Sequence, residues 1–152
     1  MSTTRVSRHI HAPRPAVYRA LIDPAAIPHW KVPNGMTCEV HHFEAREGGT
    51  FRISLTYDQP TDAGKTARQT DTYQGRLEKL VPNEKVVEVD VFETTDPTMQ
   101  GEMTITYTLV DTEEGTLLHA VHEGVPDGVS PADNEYGWQM SLGKLAAFVE
   151  GR

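Results

Sequence analysis

One amphipathic segment at the C-terminal end of a chain otherwise patterned as strands leaves few ways to bury apolar surface. Ser130-Pro131-Ala132-Asp133 combines an N-cap serine, a proline at the first helical position and an acid at the third, which together predict a helix start. Trp138, Leu142, Leu145 and Val149, with Phe148 beside them, then recur at helical spacing as a stripe about one hundred degrees wide. Upstream the period is two. Cys38, Val40 and His42 alternate with Glu39, His41 and Phe43; Phe51, Ile53, Leu55 and Tyr57 alternate with Arg52, Ser54 and Thr56. Further strands are predicted at Thr4 to His11, Thr70 to Leu80, Lys85 to Glu93, Gly101 to Val110 and Thr116 to Glu123. Turn signals separate them at Gly48-Gly49, Pro82-Asn83, Asp96-Pro97 and Glu113-Glu114-Gly115, and Asp58 to Ala67 reads as a hairpin loop.

Strands joined by such short turns must run antiparallel to their neighbours, since a parallel return needs a long crossover. Between the first two strands, Pro15 suits the first turn of a short helix carrying Val17 and Leu21. Pro24 stops it, a second turn runs through Ala25-Ala26-Ile27, Pro28 is expected to stop that, and Trp30 ends the stretch. The expected architecture is α+β: a curved antiparallel sheet wrapped around a long C-terminal helix, with two short helices after the first strand. No linker or repeat divides the 152 residues, so one domain over 1–152 is expected.

Net charge is −8, which opposes a polyanion and excludes nucleic acid as a natural partner. The densest acidic patches, Glu84 to Asp96 and Asp111 to Glu114, read as solvated strand faces and turns. No apolar run approaches the ~20 residues of a membrane span. The basic start lacks an apolar h-region, and Cys38 is the only cysteine; both point to the cytoplasm.

The ordered pieces resemble a known group. The stretch from Ile10 through Pro13, Pro15 and Leu21 to Asp23-Pro24 and Trp30 looks like a first strand and paired short helices. Gly75 to Val86, Gly115-Thr116 before Leu118 to His122, and Gly137-Trp138 with Leu142 and Leu145 follow in order. This set resembles the START-related (SRPBCC, birch-pollen-allergen-like) superfamily, and within it the group named for the activator of heat-shock protein 90 ATPase. The resemblance implies a helix-grip fold with a hydrophobic cavity between helix and sheet. Members include lipid carriers, hormone receptors, polyketide cyclases and co-chaperone domains. The eukaryotic co-chaperone carries an additional N-terminal domain that engages the chaperone, whereas this chain starts at the first strand of the grip, so a chaperone partner is not expected.

Candidate chemistry is sparse. His9 and His11 share a strand face, but two histidines without a third converging ligand do not make a zinc site, and no metal or cofactor is expected. His41 and His42 are adjacent and read as facing opposite ways. Cys38 reads as a small buried hydrophobe rather than a nucleophile. His122 shares the face of Leu118 and Ala120 and projects inward, as a hydrogen-bonded core residue or as a group that orients a ligand or moves a proton. Aromatic and sulfur side chains on facing elements predict a wall: Trp30, Tyr73, Tyr107, His122 and Trp138, with Phe51 and Met103 setting its shape. The function expected is binding of a small, largely hydrophobic ligand. A cyclase- or hydrolase-like enzyme using the same cavity and a co-chaperone-like interaction protein stay open, as does a homodimer.

Overall fold

The computed structural model describes residues 1–59 and 69–152. β1 (Ser2–Ile10) leads into two short helices, α1 (Arg14–Ile22) and α2 (Ile27–Trp30). Six strands follow: β2 (Met36–Phe43), β3 (Thr50–Tyr57), β4 (Thr70–Val81), β5 (Lys85–Phe92), β6 (Met103–Thr112) and β7 (Gly115–Val125). The last element is α3 (Pro131–Val149), capped by Ser130, whose hydroxyl accepts from the Asp133 N–H. All strand pairings are antiparallel, in the order β1-β7-β6-β5-β4-β3-β2, so the meander β2 to β7 is completed by β1 returning against β7. This is the helix-grip arrangement: the sheet curls around α3, with α1 and α2 across the remaining opening. The hairpin loop expected over Asp58 to Ala67 falls, from residue 60 on, outside the described residues.

Alternation decides what each strand buries. Met103, Ile105, Tyr107 and Leu109 of β6 and Thr116, Leu118, Ala120 and His122 of β7 face inward, all nearly inaccessible. Leu142, Leu145 and Ala146 of α3 meet them, each at 1 % exposure or less, and seal one end of the core. Among the described residues, no helix is long and apolar enough to cross a membrane.

Local details depart from the sequence reading. Pro28 does not stop the second turn but sits within the first turn of α2, where a missing N–H costs nothing. A bulge between Val40 and His42 shifts the register of β2, turning Phe43 inward onto Phe51, with ring centroids 5.4 Å apart. It also brings both adjacent histidines to the outer face: His41 bonds Ser54 at 2.8 Å and His42 bonds Thr50 at 3.2 Å. Phe148 leaves the apolar stripe of α3; it is 42 % exposed and stacks on His29.

The largest correction concerns β5. Glu88 and Asp90, expected on a solvated face, are 3 % and 2 % exposed and point into the curl. Neighbouring β4 makes room for them through Gly75. A Cβ there would collide with the Val89 carbonyl oxygen and stand 2.8 Å from Asp90 Oδ1 and Phe51 Cζ. Gly75→Ala should therefore cost roughly 1–3 kcal/mol in denaturant unfolding. Gly143→Ala, on α3, meets only Arg8 Nη1 at 3.6 Å and should be neutral or stabilising by about 0.5–1 kcal/mol. Equal effects at the two positions would contradict this packing.

Candidate functional site

The first half of α3 meets the sheet through polar contacts, Asn134 donating to Thr4 Oγ1 at 2.9 Å and Trp138 to His122 Nδ1 at 3.0 Å. Between them lies a cavity of about 530 Å³. Its apolar walls are Leu55, Phe92, Met103, Ile105, Val125 and Trp138, and Gly137 and Ser141 of α3 leave the roof thin. The exposed lining residues Asn34, Gly128, Ser130 and Asp133 place the mouth between the α2–β2 link and the start of α3. The inner end is polar, with Lys31, Asp71, Asp90 and His122.

Lys31 caps the C-terminus of α2, its N–H donating to the Ile27 carbonyl, and sends its side chain inward. Its ammonium donates to Glu88 Oε1 at 2.7 Å and Oε2 at 2.8 Å and lies 5.7 Å from the centroids of the Phe51 and Tyr73 rings. Burial alone would lower the Lys31 pKa; the carboxylates of Glu88 and Asp90 outweigh it and hold it above its ordinary value. Asp90 goes the other way from a surface carboxylate. Burial first, then the Glu88 charge, push it well above the carboxylate range, against the pull of Lys31. Among the described residues, Asp90 Oδ1 and Tyr107 Oη are buried without a hydrogen-bond partner.

His122 forms the other polar corner. The Trp138 indole N–H can only donate, and it does so to His122 Nδ1 at 3.0 Å; Asn134 Nδ2 approaches the same nitrogen at 3.1 Å. His122 is therefore the neutral Nε2–H tautomer, with that hydrogen aimed at Met103 Sδ, 3.2 Å away. Burial lowers its pKa to about 4, with Lys31 adding and Glu88 opposing. Near neutrality it is uncharged, with its ring held in one orientation on the cavity wall. Cys38 is similarly inert: burial raises its thiol to about 11 although Lys31 opposes.

Of the seven residues predicted as wall, Tyr73, Met103, His122 and Trp138 line this cavity. Trp30, Phe51 and Tyr107 are packed behind it at 1 % exposure or less. Trp30 is spent on the helices, its indole N–H donating to the Ala20 carbonyl at 2.9 Å. Tyr107 is wedged edge-on between Trp30 and Trp138, and Phe51 between Phe43 and Tyr73. Sequence reading missed Lys31, Asp71, Glu88 and Asp90. Among the described residues, no three His, Cys, Asp or Glu side chains converge on a point where a metal ion could sit.

The family profile described as activator of Hsp90 ATPase homolog 1-like protein matches residues 11–150. The chain belongs to this family. Among solved structures, protein CV1439 from Chromobacterium violaceum is 36 % identical, covers 97 % of this chain and 96 % of its own, and superposes with a TM-score of 0.87. The AHSA1-like protein from Aeromonas hydrophila is 16 % identical over 99 % of this chain and 93 % of its own, with a TM-score of 0.73. Protein MLL2253 from Mesorhizobium loti gives 21 % identity over 98 % and 97 %, also at 0.73. The last two share the activator-of-Hsp90-ATPase-homolog fold alone. No curated protein sequence matches the chain.

The state of His122 has a measurable consequence for this family member. The unfolded chain takes up a proton as pH falls below the ordinary histidine value near 6.5, and the folded chain refuses it until about 4. Stability from this group is thus complete above pH 6.5 and is lost as pH falls to 4, by on the order of 3 kcal/mol. Urea unfolding of wild type and His122→Gln across pH 7 to 4 should show the gap between them closing by about that amount. A constant gap would contradict the assigned tautomer and burial.

Proposed function

We propose that the protein binds a small, largely apolar molecule in the cavity between α3 and the sheet. The observation that carries this reading is the unfilled volume itself. Protein interiors pack like organic crystals, with few voids larger than a water molecule, whereas small-molecule pockets run about 300–1,000 Å³ with mostly apolar walls and a few placed polar groups. A space of about 530 Å³ walled by Met103, Ile105, Phe92 and Trp138 and ending at Asp90 and His122 fits the second description. Binding is favoured over turnover by the neutral, doubly hydrogen-bonded state of His122, the residue best placed to move a proton. Apolar area removed from water supplies the affinity, at roughly 25 cal/mol per Å², and the polar end sets orientation.

A thermal-shift screen with lipids and small aromatic compounds, followed by native mass spectrometry, tests the proposal. A ligand at about a hundredfold over its Kd stabilises the folded state by about 2.7 kcal/mol, which in a chain of this size raises Tm by roughly 5–10 °C. Gly137→Leu is the matching control. A Cβ at Gly137 meets nothing nearer than Pro33 Cγ at 3.9 Å, so the leucine should grow into the cavity, suit the helix and abolish the shift. No response to any compound, or an equal response from the plugged variant, would reject this cavity as the site.

A further inference from the structure

We infer that Asn34 is a self-modifying site: the Gly35 main-chain nitrogen attacks its side-chain amide, leaving aspartate and isoaspartate at the mouth of the cavity. This chemistry needs an amide carbonyl open to attack, a following residue without a side chain, and a nitrogen not held by a hydrogen bond. Asn34 is exposed, and its amide has no hydrogen-bond partner among the described residues. Gly35 is exposed as well, at φ +83°, and no heavy atom lies within 4 Å of the place a Cβ would take. Glycine is the residue at ease in that left-handed turn, so the turn and the bare nitrogen come together. The Gly35 carbonyl accepts from the Asp58 N–H at 2.8 Å, but the Gly35 N–H has no backbone acceptor among the described residues.

The other two asparagines and the one Asp-Gly pair each lack one of these conditions. Asn83 is followed by Glu84, whose N–H donates to the Val81 carbonyl at 2.9 Å. Asn134 is followed by Glu135 inside α3, and its amide donates to Thr4 Oγ1 at 2.9 Å. Asp127-Gly128 has the glycine, but the Gly128 N–H is committed to the Thr98 carbonyl at 2.8 Å, and Met99 Sδ crowds the place of its Cβ.

Attack forms a bond from Gly35 N to Asn34 Cγ and breaks the Cγ–Nδ2 bond. The leaving nitrogen departs as ammonia, taking up the proton that Gly35 N gives up. Water then opens the five-membered imide at either of its carbonyls, giving aspartate or isoaspartate. Nothing is oxidised or reduced, and water is the only other reactant. The product adds a negative charge to a mouth that already carries Asp133, and its isoaspartyl form puts an extra main-chain carbon between α2 and β2. The reaction needs no ligand and stands whether or not the cavity is filled.

Incubation of the purified protein over days, at neutral and mildly alkaline pH, followed by tryptic digestion and mass spectrometry, tests this. The peptide from Val32 to Arg46 should lose its parent form to two chromatographically distinct isomers, heavier by the difference between OH and NH2. The loss should quicken with hydroxide, because the attacking nitrogen must shed its proton. Peptides carrying Asn83 and Asn134 should stay intact. An isoaspartyl methyltransferase should label the aged wild type but not an equally aged Asn34→Gln, whose longer side chain closes its ring far more slowly. A sample unfolded in urea gives the rate without the fold, and the folded chain should react at a comparable rate. Asn34 that stays intact in the folded chain, whether or not urea releases it, or Asn83 reacting as fast as Asn34, overturns the inference and leaves the binding reading untouched.

Discussion

The bidentate contact between Lys31 and Glu88 fixes the inner architecture. A charge cannot be taken out of water alone, so the ammonium at the end of α2 and the carboxylate in the middle of β5 must find each other. That pairing pins the α2–β2 link over the sheet, beside the buried Asp90. Against apolar side chains of the same size, such a pair adds little net stability. Its effect is on shape. Lys31, Asp71, Asp90 and His122 line the end where the curl of the sheet stays open, and Leu142, Leu145 and Ala146 close the other.

The long helix is divided accordingly. Its C-terminal half, with Leu142, Leu145 and Ala146, fills the sheet's concave face as an ordinary core. Its N-terminal half offers Asn134 and Gly137, with Ser141 just past the middle, all small or polar, and so roofs a space instead of occupying it. Trp138 stands at the boundary, where its ring packs on Tyr107 and its N–H fixes the tautomer of His122. One side chain thus joins the filled and the open halves.

Much of this was legible from the chain's own periodicity. The Ser130 cap, the α3 stripe, the strand run Phe51 to Tyr57 and the inward face of β7 follow from local rules that the packing does not overrule. The β5 face was not legible for an equally local reason. Val87, Val89 and Val91 make a convincing apolar face, and only Val86 and Phe92 hint that the alternate positions point inward with Glu88 and Asp90. Lys31 leaves no local trace, since its partner is 57 residues away. Similarly, the bulge that turns Phe43 inward carries no glycine to announce it. Aromatic residues were easy to gather but not to sort, because Trp30, Phe51 and Tyr107 differ from Tyr73 and Trp138 in depth, which periodicity does not encode.

At the closed end of the open cavity stands one buried acid, Asp90, whose pKa burial pushes well above the carboxylate range. Difference infrared spectroscopy of wild type against Asp90→Asn at pH 7 reads that state directly. The carbonyl stretch of a protonated carboxylic acid should be present in the wild type and missing in the variant. A spectrum showing only ionised carboxylates at that pH would contradict the arrangement of Lys31, Glu88 and Asp90 described here.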